Sequence, residues 1–249
     1  MTADTVGGVW TYAIDLARAL SGRGVHTTLA SMGKPASEEQ RRQAAGVPGL
    51  DLRESDYRLE WMSDPWDDLR AAGEWLLGLE RETRPDLVHL NGYVHGALPF
   101  DAPVLVAGHS CVLSWWEAVR GGPAGPEWGR YRAAVTRGLR AAAMVVAPTA
   151  AMLAALERHY GPLPPSRVVP NGRDPSAFTP GDKEPFVLTV GRLWDDAKNL
   201  AAVSAVAPAL PWKVVAAGDA GHPEGGQAAT GSVEHLGTVG QDDLAGLMA

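Results

Sequence analysis

Cysteine is nearly absent from this 249-residue sequence, with Cys111 the only one. A disulfide within the chain is therefore excluded, and the usage suits a reducing cytosol. Cys111 reads as a small buried residue, and a nucleophilic thiol is the other use of such a side chain. An excess of positive charge is also missing. Lys and Arg number 22 against 29 Asp and Glu, a formal net charge of −7. A nucleic-acid binder needs a basic surface to displace counterions from phosphates, so no nucleic-acid partner is expected. The arginines between Arg130 and Arg140 recur at helical spacing and read as a solvated helix face. Long apolar runs are lacking as well: the longest, Ala141 to Ala147, falls far short of the roughly 20 residues needed to cross a bilayer. The first twenty residues carry Asp4, Asp15 and Arg18 in an amphipathic pattern, not the basic start and apolar core of a secretory leader. A cytoplasmic protein is expected, with peripheral membrane contact open through a few exposed side chains.

What the chain does have is an alternation of short apolar runs with helical patterns, the mark of an α/β protein with a parallel sheet covered on both faces. Strands are expected at Val25–Ser31, Leu87–Asn91, Val104–His109 and Met144–Pro148. Helices are expected at Trp66–Thr83, about Glu127–Ala143, and Ala150–Tyr160, the last capped by Thr149. Then Gly161–Pro165 and Pro170–Pro185 turn rich in proline, glycine and charge and read as connections. A second series follows: strands at Phe186–Leu193, Trp212–Gly218 and Val233–Val239, with helices at Lys198–Val206 and from Gln241 onward. The division expected is a first domain over 1–169, a linker over 170–185 and a second, partial domain over 186–249. The pair Gly7-Gly8 precedes a helix whose Ala13, Leu16, Ala17 and Leu20 share one face. The six residues before that pair are too few for a typical strand plus its turn, so the sequence is expected to start within its first strand.

The residues that carry chemistry sit at these junctions. Gly7-Gly8 at a helix start suits close backbone approach to an anion, and equally a plain tight turn. The segment Gly191-Arg192-Leu193-Trp194-Asp195-Asp196-Ala197-Lys198-Asn199 follows a strand and opens a helix. A planar multi-donor Arg and a point-charge Lys at a sheet tip suit phosphate; an exposed loop with aspartates capping the helix is the alternative. His109 ends a parallel strand, where ligands bind in open α/β sheets and where a neutral imidazole can donate a hydrogen bond. Asp67-Asp68, Asp195-Asp196 and the pair His89 and His95 lack further ligands in sequence, so no metal site is expected. Most of the nine tryptophans read as packing residues, with Trp115 and Trp116 the best candidates for a cleft rim because they follow His109.

Taken in order, these segments resemble glycosyltransferase family 4. GGVWTYAIDLARALSGRG is similar to that family's glycine loop and first helix. PDLVHLNGYVHG, VLVAGHSCVLSW and VVAPTAAM resemble its later strand ends, and VVPNG followed by VGRLWDDAKN resembles its hallmark. The resemblance implies a GT-B fold: two Rossmann-like doubly wound parallel sheets, the second incomplete here, with the site in the cleft between them. It implies that Arg192 and Lys198, with Gly191, hold the donor diphosphate, that Gly7 and Gly8 face the same phosphates, and that Leu236 and Gly237 lie near the nucleobase. It makes His109 the catalytic-site histidine facing the donor sugar, and Asn91, Tyr93, Trp115 and Trp116 acceptor-side residues. The implied donor is a nucleoside-diphosphate sugar, with no metal or other cofactor required.

One departure qualifies the expectation. Family members carry an E-x7-E motif after the second domain's third strand, and no candidate pair stands at that place here; Glu224 and Glu234 are ten apart and lie in other elements. Three readings follow: a retaining hexosyltransferase, inactive as given; a truncated, non-catalytic nucleotide-sugar binding module; or another GT-B enzyme such as a sugar-nucleotide epimerase.

Overall fold

The computed structural model describes residues 1–249, the side chain at position 242 excepted. The chain divides into two compact units, Met1–Gly172 and Arg173–Ala249.

Seven parallel strands build the first unit. A three-residue strand β1 (Thr2–Asp4) precedes the glycine pair, where the sequence reading expected too little chain for a strand and its turn. It pairs with β2 (Thr27–Met32), which pairs with β3 (Leu50–Glu54). The next four, β4 (Val88–Leu90), β5 (Val104–Ala107), β6 (Met144–Ala147) and β7 (Ser166–Val168), pair in sequence order. The two ladders meet where Asn91, the residue after β4, donates its N–H to Thr2 Oγ1 at 2.9 Å and its side-chain amide to the Thr2 carbonyl at 2.7 Å. The spatial order is thus 3-2-1-4-5-6-7. The chain leaves the centre toward β3, then returns to run toward β7, and such a reversal opens a crevice at the strand carboxyl ends.

Both faces are covered. Helix α1 (Gly8–Ser21) turns Trp10, Ala13, Ile14 and Ala17 onto Ala3 and Leu29, a stripe at i, i+3, i+4, i+7. The next residue of β2, Ala30, points the other way and meets Leu76 and Leu79 of α3 (Trp66–Thr83). Between them α2 (Glu38–Ala45) opens with a capping box, Ser37 and Gln40 satisfying each other's backbone N–H. On the far side α4 (Val112–Arg120), α5 (Gly129–Ala141) and α6 (Ala150–Tyr160) enclose Leu90, Val106 and Val145 with Val135, Leu139 and Leu156.

The second unit is a three-stranded parallel sheet in the order β10-β9-β8. Strand β8 spans Phe186–Val190 and β9 Lys213–Ala217. Strand β10 is only Glu234–His235, shorter than the expected Val233–Val239 because Gly237 adopts a positive φ and bends the chain out of the ladder. Helix α7 (Leu200–Val206) begins two residues later than expected, since Asp196–Lys198 forms a 3-10 turn and Asn199 is left-handed. Helix α8 spans Gln241–Met248. Among the described residues no helix is long and apolar enough to cross a membrane.

Candidate functional site

In the first unit the candidate residues gather at the carboxyl ends of β1, β4 and β5. His109 stands two residues beyond β5, with Nε2 2.9 Å from Asn91 Oδ1. The assignment of that contact follows from chemistry. The Thr2 carbonyl can only accept, so the Asn91 atom facing it is the NH2 group, and Oδ1 faces His109. Oδ1 also can only accept, so His109 carries its proton on Nε2 and leaves Nδ1 as a lone pair. Burial pushes the imidazole down to about 4, so it is neutral at physiological pH. The free nitrogen therefore accepts a hydrogen bond, where the sequence reading had the ring donating. Tyr12, from α1, sets its ring edge-on to His109 with centroids 4.5 Å apart and lies 6.1 Å from His89. His89, in β4, is buried and likewise pushed down to about 4 by burial.

The glycine loop is held from within. Asp4, the last residue of β1, accepts the N–H of Val6 at 3.0 Å and of Gly7 at 2.7 Å through one carboxylate oxygen. The Gly7 amide is thereby used by the fold. Gly8 is exposed, and no atom lies within 4 Å of where a Cβ would stand.

The expected acceptor-side residues separate. Asn91 belongs to the seam between β1 and β4. Tyr93 is 3% exposed, donates its hydroxyl to the Ser110 carbonyl at 2.8 Å and packs in the core. Its N–H and that of Val94 donate, at 2.9 Å each, to Glu60 Oε2. Burial raises Glu60 to about 7, against the two hydrogen bonds that favour its ionised form. Trp115 and Trp116 form a half-buried aromatic surface on α4, 5.8 Å apart, with the Arg120 guanidinium 5.4 Å and 6.0 Å from the two rings.

In the second unit three glycines end the three strands. Gly191 immediately follows β8, Gly218 immediately follows β9 and Gly237 stands two residues beyond β10, all with positive φ. They bond in series: Gly191 N–H to the Ala217 carbonyl at 3.0 Å and Gly218 N–H to the Gly237 carbonyl at 2.8 Å. A Cβ on Gly218 would strike the Gly191 carbonyl, so this backbone approach requires glycine. Arg192 leaves the same strand end and is held by Asp195, Nη2 to Oδ2 at 2.7 Å, with the guanidinium 5.2 Å from the Trp194 ring. Asp195 is buried and its other oxygen caps the N–H of Ala197. The Lys198 stem lies along Gly191, where an added Cβ would come within 2.9 Å of Lys198 Cε. The two cations expected from sequence therefore share one strand end with Gly191. Leu236 and Gly237 lie at the neighbouring strand end, Leu236 exposed. His235, which the sequence reading passed over, donates from Nε2 to the Gly218 carbonyl at 2.9 Å. Among the described residues no group of three or more His, Cys, Asp or Glu is placed to hold a metal.

Solved structures of known proteins share the fold. Sucrose-phosphate synthase from Thermosynechococcus elongatus superposes with a TM-score of 0.70 at 17% identity, covering 98% of this chain and 71% of that one. Anabaena HepE in complex with UDP and glucose gives 0.65 at 16% identity, with the same two coverages of 98% and 71%. A UDP-N-acetylglucosamine 2-epimerase gives 0.52 at 13% identity over the same shares. At these identities the likeness establishes the fold, which is GT-B. No protein of curated function matches the chain. Residues 6–177, well over half of the sequence, match the family described as Glycosyltransferase Family 4, and the chain belongs to that family.

Proposed function

We propose that the chain is the donor-binding and His109-bearing part of a retaining glycosyltransferase that moves a hexose from a nucleoside-diphosphate sugar to an acceptor. The observation that carries the reading is the strand end in the second unit. Arg192, fixed by buried Asp195, and Lys198, laid along Gly191, put two cations beside a backbone turn that only glycine can make. Negative charge grows on the β-phosphate as the glycosidic bond to the donor breaks, and fixed cations stabilise it without a metal ion. Leu236 and Gly237 suit the base side, and the open space beside Gly8 suits phosphate approach. A neutral His109 with a free Nδ1 suits a sugar hydroxyl as hydrogen-bond donor. Anabaena HepE, of the same fold, was solved with UDP and glucose.

Calorimetry with UDP and GDP tests the diphosphate assignment. Arg192→Ala with Lys198→Ala is expected to abolish binding that the parent chain shows; equal affinity in both would remove the assignment. A second reading, a nucleotide-sugar binding module without turnover, draws on the same strand-end geometry. Sustained transfer from UDP- or GDP-hexoses to any of a panel of acceptors would sink that second reading. The epimerase reading is weakened by the GRLWDDAKN segment, since the fold alone is shared by both classes.

A further inference from the structure

We infer that Asn91 is a positioning residue that locks His109 in the Nε2–H tautomer and so makes its Nδ1 the group that reads a substrate hydroxyl. The inference rests on the proposed role of His109, but its structural half stands independently of it.

Asn91 sits where β4 ends and is fixed at three points. Its N–H goes to Thr2 Oγ1, its NH2 to the Thr2 carbonyl, and its Oδ1 takes the His109 Nε2 proton. A side-chain amide has one donor end and one acceptor end, and a backbone carbonyl decides which end points where. The carbonyl of β1 thus sets the polarity of Asn91, and Asn91 sets the proton position on a ring attached to β5. The segments on either side are also tied. Glu60 takes the N–H groups of Tyr93 and Val94 just after Asn91, and the Tyr93 hydroxyl donates to Ser110 just after His109. The amide cannot rotate without breaking bonds at both ends, and the ring cannot rotate without losing its bond to Asn91. The groups facing the His109 ring are the Tyr12 ring, the Asn91 amide and, at longer range, His89, which is neutral as well. Burial is what lowers the ring, with no ion pair raising it among the described residues, so the lone pair on Nδ1 persists at neutral pH.

The consequence is a specificity rule. The free nitrogen rewards a hydrogen-bond donor such as a sugar hydroxyl, and a donor sugar bearing an ether or a hydrogen at that position loses the contact and leaves a half-buried acceptor unpaired.

The test is long-range 1H–15N correlation spectroscopy of the 249-residue chain, which distinguishes the two neutral tautomers by the shifts of the ring nitrogens. The parent is expected to show one set of signals, protonated Nε2 and bare Nδ1. Asn91→Leu, which can neither accept nor donate, is expected to give a mixture of tautomers. Asn91→Asp retains the acceptor and adds charge, so it is expected to keep the Nε2 proton and raise the His109 titration midpoint by about 1 unit or more. Thr2→Val removes only the seam bond to the Asn91 N–H. It is expected to lower stability and leave the tautomer untouched, which separates loss of the seam from loss of the lock. A parent carrying its proton on Nδ1, or unchanged tautomer and midpoint in a folded Asn91→Asp, would overturn the inference. With a lock confirmed, equal affinity for UDP-glucose and each of its deoxy analogues would refute the hydroxyl reading of Nδ1 while leaving the lock standing.

Discussion

At the residue scale the buried titratable groups oppose one another. His89 and His109 are each held near 4, well below the 6.5 of a free imidazole, because burial penalises the cation. As pH falls from 6.5 to 4 the unfolded chain takes up protons that the folded chain refuses, so stability is lost on acidification. Each imidazole contributes a loss of about 3 kcal/mol over that window. His95, also lowered by burial, adds in the same direction. Glu60 does the reverse: it keeps its proton to about 7 in the fold and releases it near 4.5 when unfolded. Its contribution is therefore present at low pH and is lost as pH rises from 4.5 to 7, again about 3 kcal/mol. The histidines outnumber the carboxyl, so urea midpoints are expected to fall on acidification from pH 6.5 to 4.5. Glu60→Gln is expected to steepen that fall and His109→Asn to shallow it. The same pH dependence in Glu60→Gln as in the parent would mean that Glu60 is ionised throughout that window.

The same scale shows where sequence reading stops. The strand-end positions of His109 and Arg192 were legible because each stands two residues past an apolar run. Glu60 and Tyr12 were not. Glu60 lies in an irregular segment thirty-three residues before the amide it holds, and no local pattern announces such a contact. Tyr12 occupies the one turn of α1 that overhangs the strand ends, and its aromatic ring looks like any other half-buried residue of an amphipathic helix. Asp195 was read as a helix cap, and it does cap Ala197, but its tie to Arg192 depends on a 3-10 turn that spacing alone does not reveal.

At the scale of elements, the interior strands were legible and the edges were not. Strands β2, β4, β5 and β6 are apolar runs because both their faces are covered. Strand β7 is exposed along its length and reads Ser-Arg-Val, so it carries no apolar signal. Strand β3 alternates only partly buried leucines with charge, and α2 buries a single alanine; the Ser37 to Gln40 capping box was the one usable sign of that helix. The contact that places the Asn91 loop is made by glycines. A Cβ on Gly138 of α5 would collide with the Tyr93 carbonyl, and one on Gly96 would meet the Gly138 carbonyl at 2.5 Å. Gly78 of α3, by contrast, has only the tip of Arg81 within 4 Å. Alanine gains about 1 kcal/mol over glycine within a helix, whereas overpacking costs about 1–3 kcal/mol. Gly78→Ala is thus expected to raise the urea midpoint and Gly138→Ala to lower it. A Gly138→Ala protein as stable as the parent would show that α5 can shift without cost, and the close approach would not be what sets the loop.

At the scale of the whole molecule the chain is two units with separate cores, joined by exposed chain. The first buries Leu29, Leu90, Val106, Val135, Val145 and Leu156 almost completely, while the second relies on a smaller cluster around Leu193, Leu200, Val214 and Ala216. Residues 171–177 are all exposed, and only a short 3-10 turn, Pro175–Ala177, interrupts the irregular backbone between β7 and β8. A protease needs several residues of extended, unpaired backbone, which a ladder or helix denies and such a segment supplies. Arg173 stands at the boundary of the two units in that segment. Arg167 lies in β7 with its backbone paired to β6, whereas Arg173 and Lys183 both stand in irregular backbone with engaged side chains, Arg173 5.6 Å from the Phe178 ring and Lys183 on the carbonyls of Met248 and Ala249. Brief digestion with trypsin under native conditions is therefore expected to cut first within this segment, after Arg173 or Lys183, and to leave a fragment carrying the first unit that resists further cleavage. Mass spectrometry of the early products decides it. A first cut inside α1, α3 or α5 would show that the larger unit opens before the connection between the two is cleaved, and that its core, not the linking segment, is the weakest part of the molecule.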